Sequence, residues 1–220
     1  MSVKTAYNKR ASYYDNDLDT NFLFDMEKKQ VLDLLDIKKT DEILDLGCGS
    51  GKYIPLLLRK TQKITCYDIS DKMVKLVLSK FPKLKCSEWD MTKKLPSKDA
   101  SFDKILCAQA IKHIKDITKT FKEIYRILKP KWNFVFTTIH PESNWSWYKT
   151  KTSNTVEIDE PCFITKHSLS TLLTAIENVG FKIVWIEQCK VGENVRKLLT
   201  TSSYKTIKGR PLVLIIRTRK

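Results

Sequence analysis

Three glycines, Gly47, Gly49 and Gly51, fall within five residues of a chain that has only six. They stand in the stretch EILDLGCGSGKY, with the carboxylate of Asp45 just ahead of them. Glycine has no Cβ, so a backbone built this way can turn sharply and let a ligand touch it. Gly47 and Gly49 fit the first two positions of the dinucleotide pattern G-x-G-x-x-G, but the third falls on Lys52. A carboxylate beside the loop disfavours a pyrophosphate and suits a ligand that carries an ammonium or a sulfonium. Asp68 closes the next apolar run, where a carboxylate can accept hydrogen bonds from both hydroxyls of a ribose. Asp90 follows the third run, in EWDM, placed to accept from an adenine amino group. Each acid alone is more often a strand-end surface residue. In order, at the ends of successive apolar runs, they are specific.

S-adenosylmethionine has both cations and no phosphate, so it is the expected cofactor, with S-adenosylhomocysteine as product. Ile69 and Met73 flank Asp68 and can sandwich the base. Cys48 inside the loop, Met91 next to Asp90, and Gln109 at the end of the fourth run complete the expected cofactor surface.

The elements that must hold these residues alternate. EILDLG, KITCYDIS, KLKCSEWD, SFDKILCAQA, NFVFTTIH, FKIVWIEQCKV and RPLVLIIRTRK read as seven strands. KYIPLLLRK reads as a helix with Pro55 in its first turns, where proline is tolerated. SDKMVKLVLSKF is a helix that Ser70 or Asp71 can cap. DITKTFKEIYRILKP is an amphipathic helix ended by Pro130, and TKHSLSTLLTAIENVG is one with Gly180 as C-cap. This alternation predicts an α/β fold: a doubly wound, mostly parallel seven-stranded sheet with helices on both faces. Ligands on such sheets sit outside the carboxyl ends of the strands, at the switch point. The 220 residues suit a single domain, 1–220. The stretch 140–165 is long for a connection and is expected to be a substrate lid.

No run approaches the roughly 18 apolar residues of a membrane span, and the N-terminus lacks an apolar signal core. A cytoplasmic protein is therefore expected. Six cysteines without a C-x-x-C pair argue against a metal cluster, and no metal site is expected. They read as small buried hydrophobes in a reducing compartment. The net charge is +15, from 33 Lys and 7 Arg against 25 acids. The lysines are spread along the chain, which fits a solvated surface better than a nucleic-acid footprint.

With these motifs the chain resembles the class I S-adenosylmethionine-dependent methyltransferases, in particular the small methyltransferase-domain group. ILDLGCGSG is similar to motif I and YDIS to the acidic loop that follows it. EWDMTKKLPSKDASFDKILCAQAIKHI resembles the family's D-x-x-x-LP, SFD and HHI segment. EIYRILKP resembles the helix before the fifth strand. YNKRASYYD resembles an N-terminal Y-x-x-x-A-x-x-YD segment that folds over the cofactor in relatives, which implies that residues 1–36 cover the site and that Tyr7 or Tyr14 touches the methionine part. The chain departs from the family in two places. LKPGG reads with Lys131 and Trp132 for the glycines, and the HH pair reads Lys112-His113.

Methyl transfer is an in-line displacement, so the protein mainly supplies alignment, and a base only if the nucleophile must lose a proton. His140 and His113 are the candidate bases; a water-facing loop histidine and a packed helix-end histidine are the alternative readings. His167 belongs to a helix start. Trp145, Trp147 and Tyr148, in NWSWYK, can wall off an acceptor or staple the loop to the core. CAQA stands where exocyclic-amine methyltransferases carry D/N-P-P-Y, and Pro161-Cys162 lies too far past the fifth strand to match a cytosine-C5 site. A small-molecule acceptor, methylated at O or N, is the first expectation. A tRNA of the wobble-uridine type and a non-catalytic cofactor-binding or partner subunit are the alternatives, and the oligomeric state stays open.

Overall fold

A computed structural model describes residues 1–16, 18–143 and 164–220. A seven-stranded sheet runs in the order β3-β2-β1-β4-β5-β7-β6. Its strands are β1 (Ile43–Leu46), β2 (Ile64–Asp68), β3 (Lys85–Glu88), β4 (Phe102–Cys107), β5 (Leu128–Ile139), β6 (Lys182–Lys190) and β7 (Pro211–Arg219). β1 pairs in parallel with β2 and β4, β2 with β3, and β4 with β5. Only β7 runs antiparallel to its neighbours β5 and β6. The fold is the expected doubly wound, mostly parallel sheet. Strand order reverses between β1 and β4, and this switch point lies at the glycine loop.

Seven helices are described: α1 (Val3–Arg10), α2 (Leu18–Leu35), α3 (Ile54–Leu58), α4 (Asp71–Lys80), α5 (Ile117–Ile127), α6 (Leu169–Val179) and α7 (Thr201–Ile207). Two apolar cores result, one on each sheet face. Val31 and Leu35 of α2, Leu57 of α3 and Ile207 of α7 meet Val135, Val213 and Ile215 on one face. Phe121 and Ile124 of α5 and Leu172 and Ile176 of α6 meet Phe134, Phe136, Leu214 and Ile216 on the other. The alternation Phe134, Val135, Phe136 sends neighbours to opposite cores, as the strand period requires.

Helix starts follow the cap chemistry. Ser70 Oγ accepts from Met73 N at 3.1 Å, and Ser168 Oγ accepts from Thr171 N at 3.1 Å. Gly180 ends α6 with φ +96°, as read from the sequence. Pro130 does not end α5. The helix stops at Ile127, and Pro130 already lies in β5. Leu128 pairs with Phe102, but the next pair is Asn133 with Lys104, so residues between them bulge from the ladder. The bulge gives Pro130 a place in a strand. Lys131 sits there at φ +70°.

Phe121 is fully buried, with ring centroids 5.7 Å from Phe134 and 5.3 Å from Phe136. Phe121→Ala is expected to lower the unfolding free energy by about 3–5 kcal/mol in chemical denaturation, through lost transfer energy and an unfilled cavity.

Candidate active site

A cavity of about 280 Å³ opens at the carboxyl ends of β1, β2, β3 and β4. Gly47 and Gly49 line it from the loop after β1, Asp68 and Ile69 from the end of β2, Asp90, Met91 and Thr92 from beyond β3. Ala108, Gln109, Ala110 and His113 line it from beyond β4, and Ser2, Val3, Lys4, Tyr7 and Tyr14 close it from the N-terminal segment.

Both glycines are required by backbone angle, and Gly47 by space as well. Gly47 has φ +78°, and a Cβ there would stand 2.5 Å from Ala110 Cβ. Gly49 has φ +53°, and its Cβ would lie 3.7 Å from the Tyr14 ring, in the space above the loop. Gly49 N donates to Asp68 Oδ2 at 2.7 Å, which fastens the loop to β2. Ser70 N donates to Asp68 Oδ1 at 2.9 Å. Burial still raises the Asp68 carboxyl to about 6, against these two hydrogen bonds, which pull it down.

Asp45 lies within β1, 2% exposed. Its Oδ2 has no hydrogen-bond partner among the described residues. Burial, and then the nearby charge of Asp68, push its carboxyl up to about 8. A buried carboxylate oxygen left unpaired is costly in the free protein. A cationic ligand at the loop would offset that cost through space, so the residues present fit S-adenosylmethionine. Gly47 and Gly49 would hold the methionine part, Asp68 the ribose and Asp90 the base. Asp90 Oδ1 accepts from Thr92 N at 2.8 Å and Thr92 Oγ1 at 2.7 Å, which fixes its orientation.

Other expected site residues fall outside the cavity wall. Cys48 and Gly51 belong to the loop, and Met73 is fully buried beneath it in α4; none of the three lines the cavity. His113 does line it, and its Nε2 lies 2.8 Å from Tyr7 Oη. His140 is 6% exposed, with burial lowering its pKa, and its Nδ1 accepts from Glu142 N at 3.2 Å. It faces neither open water nor the cavity. His167 is buried, with Nε2 2.7 Å from Ile114 O, and so braces the start of α6. Trp145, Trp147 and Tyr148, with most of the expected 140–165 lid, lie outside the described residues. No group of three or more His, Cys, Asp or Glu among the described residues could hold a metal ion.

Glu27, which the sequence reading missed, is buried and braces the cavity wall through Gln109. It is 1% exposed, accepts from Tyr53 Oη at 3.0 Å and from Gln109 Nε2 at 2.8 Å, and burial raises it to about 7. Lys112 Nζ donates to Gln109 Oε1 at 3.3 Å. Gln109 has φ +56° and donates its N–H to Thr137 Oγ1 at 2.9 Å. The cavity wall after β4 is thus held in an uncommon backbone conformation by a buried polar network. The signal was present in α2: an acid four residues from both Leu23 and Val31, on the stripe that packs inward.

Asp45 and Asp68 bind protons more tightly folded than unfolded. Their burial penalty is absent below the unfolded carboxyl value of about 3.9, and it grows as pH rises through the folded values of about 6 and about 8. Hydroxyl and ammonium donors favour the ionised acids. S-adenosylhomocysteine is therefore expected to bind more tightly at pH 7 than at pH 5 in titration calorimetry. Asp68→Asn should flatten that rise and cost about 1.5–3 kcal/mol for each charge-assisted bond lost.

Residues 44–136 match the family model described as a methyltransferase domain. A methyltransferase-like protein of Schizosaccharomyces pombe is 33% identical over 132 residues, 59% of this chain and 51% of that one. The 2-phytyl-1,4-beta-naphthoquinone methyltransferase of Arabidopsis thaliana chloroplasts is 31% identical over 136 residues, 56% of this chain and 52% of that one. The chain thus spans about half the length of these curated relatives. An S-adenosylmethionine-dependent methyltransferase from Mesorhizobium loti superposes with a TM-score of 0.72 at 19% identity, over 89% of this chain and 98% of that one.

Proposed function

We propose that the chain, whose residues 44–136 match the methyltransferase-domain model, is a class I S-adenosylmethionine-dependent methyltransferase that methylates a small-molecule acceptor at O or N. The observation that carries this reading is the cavity at the switch point, lined by the glycine loop and Asp68, with the unpaired Asp45 oxygen buried in the strand that leads into the loop. The bound cofactor supplies an electrophilic methyl group on a sulfonium. The rest is positioning by the chain. Asp68 would hold the ribose and the glycine loop the methionine part, and the residues after β4 form the opposite wall. Residues 1–36 act as the cover: Lys4 is paired with Glu88 and Asn8 Nδ2 donates to Asp71 Oδ1 at 2.8 Å, so α1 is tied across the opening. His113, bonded to Tyr7 in the wall, is better placed than His140 to take a proton from the acceptor.

Small size of the cavity and its apolar and aromatic walls favour a metabolite. The named quinone methyltransferase among the relatives extends the acceptors worth screening to aromatic rings. The net charge of +15 favours a second reading, in which a tRNA is the acceptor.

Incubation with methyl-labelled cofactor separates the two, using amines, phenols, carboxylates and quinols beside bulk tRNA. Label is expected in a small acceptor, and His113→Ala should lower kcat by about 10²-fold or more while S-adenosylhomocysteine affinity falls far less. Label confined to tRNA, with binding that weakens steeply in salt, would replace the first reading by the second. No transfer to any acceptor would favour a non-catalytic or partner-dependent subunit.

A further inference from the structure

We propose that β6 is the seam of a homodimer, in which two copies pair antiparallel and join their sheets edge to edge. Among the described residues, β3 and β6 are the two edges of the sheet. They are built differently. β3 spans four residues with a charge at each end, Lys85 and Glu88, and Lys4 from α1 pairs with Glu88. A short, charged edge resists further pairing. β6 spans nine residues, and its stretch Ile183-Val184-Trp185-Ile186 holds no charge. Val184, Trp185 and Ile186 are all exposed, Trp185 by 54%. They are the only consecutive exposed large apolar side chains among the described residues. Three in a row on an open strand edge mark a surface that another chain covers.

The ladder beside this edge sets its backbone. His140 N donates to Leu212 O, so even-numbered residues of β7 turn their N–H and C=O toward β5 and odd-numbered ones toward β6. The odd-numbered Ile215, Arg217 and Arg219 pair with Glu187, Trp185 and Lys182. Those three residues of β6 use their backbone groups inside the sheet, and Ile183 and Ile186 turn theirs outward. Ile183 pairs with Thr218 and Trp185 with Arg217, so Val184 is an extra residue in the strand. This bulge brings Lys182 and Glu187 to the same face, because their partners Arg219 and Ile215 share a face of β7. Ile183 and Ile186, opposite Thr218 and Ile216, share the other face.

A second copy fits this pattern. A two-fold axis normal to the sheet leaves each face on its own side, so residues that meet across the seam must share a face. With the axis between Val184 and Trp185, Lys182 meets Glu187 of the partner subunit, and Ile183 meets Ile186 of the partner subunit. Both contacts recur across the axis, as an isologous interface requires. An ammonium thus meets a carboxylate. Trp185 Nε1 donates to Glu187 Oε2 at 3.2 Å and holds that carboxylate on its face. The two isoleucines meet with outward backbone groups on both sides, so they exchange N–H to C=O hydrogen bonds. Trp185 comes to lie beside Val184 of the partner subunit, which covers its exposed ring. A different protein would have to match both the charges and the register; a copy of the same strand matches them by symmetry.

The test is analytical ultracentrifugation of the full chain through a micromolar concentration series. A dimer is expected, in an equilibrium that moves with concentration. Glu187→Lys sets ammonium against ammonium at both symmetric contacts and should weaken dimerisation about tenfold. Lys182→Glu should do the same. Mixing these two variants should restore the dimer, because every contact in the mixed pair is again between opposite charges. Ile186→Pro removes an N–H that points out of the sheet and should leave a monomer with the circular dichroism of the parent chain. The charge variants carry the test if the proline variant unfolds. A chain that stays monomeric throughout overturns the seam. So does a dimer that neither charge variant weakens, or a mixture of the two that stays monomeric.

Discussion

The Asp68 carboxylate accepts the Gly49 N–H at 2.7 Å, and this bond joins the loop after β1 to the end of β2. Three further constraints depend on it. The loop must approach Ala110 so closely at Gly47 that a side chain is excluded. The wall after β4 must hold Gln109 at positive φ to meet it. Tyr14 then covers Gly49 from the N-terminal segment. The sheet makes the arrangement possible, because its order reverses between β1 and β4 and leaves a gap between diverging connections.

Charge is stored at this gap at a cost. Asp45, Asp68 and Glu27 are all nearly excluded from solvent, and burial raises each above the ordinary carboxyl range. A fold built only for stability would place apolar residues there, as buried acids with incomplete partners destabilise it. Their presence at one end of one sheet is the mark of a ligand site. Glu27 differs from the other two. It is satisfied by Tyr53 and Gln109 and acts on the wall rather than on the cavity.

Much of this was legible in the sequence, for identifiable reasons. Glycines at fixed offsets after a short apolar run specify a loop, and acids at the ends of successive runs specify a common edge, because parallel strands deliver their carboxyl ends to one side. Ser70 and Gly180 announced their helix ends through local chemistry. The helix end at Pro130 was misplaced because strand pairing of Leu128 overrode the local signal. Glu27 was not legible as a brace of the wall, because its role depends on a contact with Gln109, a residue distant in sequence.

Titration calorimetry of the purified chain with S-adenosylmethionine, with NAD as a competitor of similar adenosine content, tests the central claim most directly. The buried acids and the loop predict micromolar binding of S-adenosylmethionine, since Asp68 is placed for its ribose and Asp45 favours its cations through space, and no measurable heat with NAD, whose pyrophosphate they repel. Equal binding of both, or binding of NAD alone, would contradict the account.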